Sequence, residues 1–186
     1  MDYAQSIILA TQWHDRRNCP IDTDKFRCAG IKQESYRNYH LLKTIAPADR
    51  FKADIRECLA LLIDKDMMFT QKGIAQVCAE ENELDLLCAC LSVNDKYNNT
   101  DGFELFKKYT PVLTTEMREE ITLKHVESLR MQASRANSKN YSSIRYQMQQ
   151  LRDCCPEAKS YIKELVEEFK TEYKRRPAFM EELKRL

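Results

Sequence analysis

Residues 141–186 read YSSIRYQMQQLRDCCPEAKSYIKELVEEFKTEYKRRPAFMEELKRL, and their apolar spacing decides the fold. Tyr141, Ile144, Met148, Leu151 and Cys155 recur at intervals of 3, 4, 3 and 4. Pro156 breaks the run, and Ala158, Ile162, Leu165, Phe169 and Tyr173 then recur at 4, 3, 4 and 4. Both patterns lay a single apolar stripe along an α-helix, because ~3.6 residues complete a turn. Pro177 ends the second stripe and suits the first turn of another helix, where its missing N–H would have had no partner. The stretch therefore predicts an antiparallel helix pair closed by a short helix, Pro177–Leu186, with Phe179, Met180 and Leu183 facing inward.

The same periodicity extends toward the N-terminus. Thr114 or Thr115 is a candidate N-cap for a long helix, with Glu116 in its first turn. Its stripe is Met117, Ile121, His125, Leu129, Ala133 and Ala136. At ~1.5 Å per residue such a helix is about 30 Å long. Phe103, Phe106 and Tyr109 predict a short helix stopping before Pro111, preceded by a polar loop over 94–102. Further helices are expected over 82–94, 66–79 and 49–64, the last carrying Phe51, Ile55, Cys58, Leu59 and Leu62. A helix near 33–45, a polar loop over 18–32 and a first helix over 2–17 complete the chain. The expected fold is all-α: an irregular helical-repeat-like stack of nine or ten antiparallel helices with a C-terminal cap. We expect one domain over 1–186, with a possible division into an N-terminal pair, 1–46, and a main stack, 47–186.

Composition narrows function by exclusion. Three glycines and five prolines in 186 residues are too few for a turn-rich β fold, and no glycine loop for phosphate is present. A net charge of +1 draws the chain to neither nucleic acid nor membrane. The start, Met1-Asp2-Tyr3-Ala4, lacks the basic region of a secretion signal, and no apolar run is long enough to span a bilayer. A cytoplasmic location is expected, with the eight cysteines held as reduced thiols.

Several residue groups are candidate sites. His14, Cys19, Cys28 and His40 bracket the 18–32 loop and offer two thiolates and two imidazoles, as zinc would accept, but at spacings unlike those of a zinc finger. Cys155 extends a core stripe, whereas Cys154 points elsewhere and is expected as a surface thiol open to oxidation. His125 lies on an apolar stripe, where a hydrogen-bonded core histidine is the ordinary case. No cysteine is expected at a helix N-terminus in the manner of a catalytic thiol. Lys174, Arg175 and Arg176, with Lys184 and Arg185, form a basic cluster that can meet phosphates or a partner. Helix-end charge and arginine stacking on Tyr173 explain the same residues structurally.

Read together, three segments carry a family resemblance: Phe106-Lys107-Lys108-Tyr109 before Pro111-Val112-Leu113, Gln132 to Tyr141, and Tyr173 to Lys184. Residues 103–186 resemble the C-terminal helical region of bacterial SWIM zinc-finger proteins, which share this order of helices and a closing Tyr-x-Arg-Arg-Pro-Ala-x-x-x-Glu-Leu-Lys segment. The zinc motif itself needs Cys-x-Cys followed by Cys-x-His. Cys88-Ala89-Cys90 matches its first half only, so the resemblance implies a helical tail without zinc or the DNA binding of that module. The expected function is a non-enzymatic scaffold that binds another protein, without a cofactor. The alternatives are a nucleic-acid accessory module using the 174–185 cluster, and a zinc- or thiol-dependent enzyme.

Overall fold

The computed structural model describes residues 39–40, 43–44, 51–53, 55–56, 59–60, 63, 71–92 and 100–186. Every regular element among them is helical, as the periodicity predicted. The chain divides into two compact units, Met1–Cys90 and Leu91–Leu186. The expected division near residue 46, the first helix and the 18–32 loop lie outside the described residues.

In the first unit, α1 (Gln71–Glu80) leads into α2 (Leu84–Ser92), which runs through the division between the units. Ile74, Ala75, Val77 and Cys78 are the buried face of α1. The turn between the two helices follows from one residue. Asn82 takes the left-handed conformation at φ 57°, which asparagine tolerates better than most side chains. That lets Glu83 N–H reach the Cys78 carbonyl (2.8 Å) and Asn82 N–H reach that of Ala79 (3.3 Å). These paired bonds are the Schellman ending of an α-helix, and they satisfy carbonyls the helix leaves orphaned.

A polar cluster surrounds this turn. Arg56 bridges Glu83 and Asp85. The buried Tyr39 hydroxyl donates to Glu81, which also accepts from Lys43 at 2.5 Å. Burial, reinforced by the Glu81 carboxylate, pushes the Tyr39 phenol up to about 12. Tyr39 thus stays neutral and serves as a donor.

The second unit holds the stretch that decided the fold. Its elements are α3 (Thr100–Tyr109), a 3₁₀ turn (Thr110–Val112), α4 (Thr115–Arg135), α5 (Tyr141–Arg152), α6 (Pro156–Glu172) and α7 (Pro177–Leu183). The expected loop over 94–102 is corrected at its end. α3 begins at Thr100 and encloses Gly102, since burial of Phe103 and Phe106 offsets the modest helix cost of glycine. Thr114 caps α4 as expected, its hydroxyl accepting from Met117 N–H (3.3 Å). Pro156 and Pro177 open α6 and α7.

Cross-helix bonds fix the directions. Arg118 meets Glu157 and Arg130 meets Glu168, so α4 and α6 advance together and are parallel. Tyr141 stacks on Phe179 and Arg145 bonds Glu182, so α5 and α7 are also parallel. Short connections make α5 antiparallel to α4 and α6, giving an up–down–up–down order. The α4–α5 connection turns through Asn137, whose side chain accepts from Lys139 N–H (3.0 Å).

The stripes read from the sequence form the core. Ile144, Met148 and Leu151 of α5 face Ala158, Ile162, Leu165 and Phe169 of α6, all buried. The α4 stripe is wider than its spacing suggested. Thr122 and Val126 are buried beside Ile121 and Leu129, whereas Ala136 only caps the helix end. Phe179 and Leu183 are the buried face of α7, and Met180 is half-buried.

Candidate interaction surface

The basic cluster expected as a contact site is largely engaged inside the second unit. Arg176 turns inward and donates to the carbonyls of Ala133 (3.0 Å) and Ala136 (3.4 Å). Those groups end α4, where unpaired carbonyls and the helix dipole favour a cation. Its guanidinium also lies 4.5 Å from the centre of the Tyr173 ring, the stacking anticipated from sequence. Lys184 pairs with Glu181 (2.6 Å) and Arg185 with Glu182 (3.1 Å). Lys174 and Arg175 are exposed beside the end of α6.

The thiol and histidine candidates fall into the core. Cys154 corrects its expectation as a surface thiol: it is buried, with its Sγ between the carbonyls of Gln150 (3.2 Å) and Phe103 (3.4 Å). The reason is tertiary. α3 folds over the α5–α6 junction and covers the side that the α5 stripe leaves open. Burial pushes the Cys154 thiol up to about 12, away from the reactive thiolate. Cys155 takes the N-cap position of α6, a helix N-terminus the spacing had not assigned to any cysteine. Its Sγ is 3.7 Å from the Thr122 hydroxyl, and burial raises its pKa too.

His125 is buried, with its Nε2–H donating to the Leu91 carbonyl at 3.1 Å and Phe103 5.0 Å away, ring centre to ring centre. Burial lowers its pKa to about 4, opposed only partly by the Leu91 bond. The ring is therefore neutral at pH 7, as a packed core histidine should be.

Of the zinc candidates, His14, Cys19 and Cys28 lie outside the described residues. His40 is helical and exposed, 3.8 Å from Glu80. Among the described residues no three His, Cys, Asp or Glu side chains are grouped to hold a metal ion. Nor is any described helix long and apolar enough to cross a membrane.

One surface was not singled out by the stripes. Leu123 and Met131 of α4 are exposed by 47% and 53%. Glu116, Glu120, Leu123, Glu127, Met131 and Ser134 follow one another at helical spacing along the face opposite the core. α4 carries Glu116, Arg118, Glu119, Glu120 and Lys124 in its first half and Glu127, Arg130 and Arg135 in its second, so charges of both signs flank the ridge. Two cations of the region are already held, Lys124 by Glu120 (2.7 Å) and Arg130 by both oxygens of Glu168 (2.9 and 2.8 Å). The signal was present in the sequence as two large apolar residues set off the α4 stripe.

No family model, curated protein or solved structure matches this chain.

Proposed function

We propose that the chain is a non-enzymatic α-helical scaffold that binds another protein, and that the outer ridge of α4 is a contact surface. The observation that carries this reading is the pair Leu123 and Met131, half-exposed on a helix whose stripe of Ile121, Thr122, His125, Val126, Leu129 and Ala133 is packed into the core. Water-facing apolar side chains framed by charge are what an interface uses: an apolar centre excludes water and a polar rim sets partner and register. The burial of Cys154, Cys155 and His125 supports the same reading, since these groups are spent on packing.

The wider reading belongs to this proposal: a cytoplasmic chain whose nine or ten helices form an irregular stack, akin to the helical region of SWIM proteins without the zinc motif. In that picture α7 is the cap.

The test is quantitative cross-linking in a cell lysate with the tagged full chain, comparing wild type with Leu123→Glu and Met131→Glu. The reading expects a defined set of cross-linked proteins that both substitutions remove while the helical melt is unchanged. A set indifferent to both substitutions refutes the ridge as the contact surface.

A further inference from the structure

We propose that the end of the second unit where α4 meets α5 and α6 meets α7 binds the phosphodiester backbone of a nucleic acid, through Arg135, Lys139, Lys174 and Arg175. This surface is separate from the α4 ridge, and the inference goes beyond the scaffold reading.

Arg176 brings the site together. Its guanidinium reaches from the α6–α7 junction to the carbonyls of Ala133 and Ala136, which fastens that junction against the α4–α5 junction. Residues 133–141 and 171–178 are thereby joined at one end of the unit. Between them they hold Arg135, Lys139, Lys174, Arg175 and Arg176 against the single carboxylate of Glu172. Arg176 is spent inward. The other four are exposed and make no ion pair among the described residues. Carboxylates a turn or two away are held by other cations: Glu168 by Arg130, Glu181 by Lys184, and Glu182 by Arg145 and Arg185. Helix ends do not account for the excess. α4 and α6 finish here while α5 and α7 start here, so their opposed partial charges offset and the side chains set the sign.

The kind of polyanion follows from the character of the face. Among the described residues the exposed large apolar side chains are Val112, Leu123, Met131 and Tyr146, and none of them lies in either junction. An acidic protein docks on an apolar centre, and a lipid surface receives an apolar wedge. A phosphate backbone asks for neither, since cations and short polar side chains position it. Asn137, Ser138 and Asn140 supply the polar part, exposed between Arg135 and Tyr141. The chain's net charge of +1 adds no long-range pull. The contact is therefore local, sequence-independent and sensitive to salt.

The experiment is fluorescence anisotropy of a labelled mixed-sequence DNA of about 20 bases, single-stranded and as a duplex, titrated with the purified full chain at about 50 to 200 mM salt. Four phosphate contacts predict a slope of log affinity against log salt of about −2.8 on the single strand and about −3.6 on the duplex. Across that range the affinity should fall about 50-fold and about 150-fold respectively. Arg135→Gln, Lys139→Gln, Lys174→Gln and Arg175→Gln should each weaken binding and flatten the slope by roughly 1, and the four together should abolish it. Lys159→Gln removes an exposed cation at the far end of α6 and should change nothing. Helical melts check folding, and Lys174 and Arg175, which lie between helices, decide the matter should Arg135→Gln loosen the end of α4. No binding at the lowest salt, a slope near zero, or a Lys159→Gln as costly as Lys174→Gln overturns the proposal. Poly-glutamate or phosphatidylserine vesicles that bind as tightly as the DNA at equal charge overturn it as well. None of these outcomes bears on the α4 ridge, whose variants are read separately.

Discussion

Truncating Phe179 to alanine tests whether the last helix is part of the folded unit. The ring is fully buried and lies 4.6 Å from Tyr141, 5.7 Å from Phe169 and 5.7 Å from Tyr173, centre to centre. The pocket is thus lined by rings from α5, from α6 and from Tyr173, which ends α6. Loss of a buried phenylalanine typically costs about 3–5 kcal/mol, including the cavity left behind. Each stacked or tilted ring pair adds roughly 0.5–1.5 kcal/mol, which places the expected cost near the top of that range. For a unit of this size, Leu91–Leu186, about 4–8 °C is lost per kcal/mol. Phe179→Ala should therefore lower the melting temperature by on the order of 15–30 °C, measured by circular dichroism. Pro177→Ala is the matched control. It changes the same helix at a first-turn position where no N–H bond is at stake, and should cost less than about 1 kcal/mol. A Phe179→Ala melt within a few degrees of wild type would refute the docking of α7, and with it the reading of residues 177–186 as a cap.

Three further outcomes follow from the packing. His125 has a folded pKa of about 4, below its ordinary 6.5, so the unfolded chain binds the extra proton first. Stability should fall as pH drops from about 6.5 toward 4, by up to about 3 kcal/mol, and level off below. Denaturant melts across that range should show the slope, and His125→Gln should flatten it relative to wild type. Arg176→Met should destabilise by about 1–3 kcal/mol, because it leaves the Ala133 and Ala136 carbonyls without their charged donor. Arg175→Met, at an exposed neighbour, should be near neutral in the same urea titration. Asn82→Gly should be neutral or mildly stabilising, whereas Asn82→Val should cost about 1–2 kcal/mol at its positive φ. Equal melts for these two would show that the α1–α2 turn does not depend on left-handed backbone.

The sequence by itself determined the helical class, and in residues 141–186 it determined the individual helices. The 3-4 spacing of Tyr141 to Leu151 and of Ala158 to Tyr173, with prolines at 156 and 177, is local information. A helix carries its periodicity, caps and breakers within its own residues, so Thr114, Pro156 and Pro177 mark starts that the fold then uses. The neutral role of His125 was legible for the same reason, since its stripe neighbours are apolar. What each outward face meets is not local. The sequence left Cys154 on a solvent side, and only α3 crossing the α5–α6 junction buries it. It grouped Arg176 with four other cations, and only the arrival of the α4 C-terminus beside Tyr173 turns that guanidinium into a helix cap. It hid Leu123 and Met131 among polar residues, and only the packing of α4 against α5 and α6 shows that their side of the helix faces outward. Helix identity is set by neighbours a turn away in the chain. Burial, charge pairing and the surface left for a partner are set by residues tens of positions apart, and only tertiary structure brings those together.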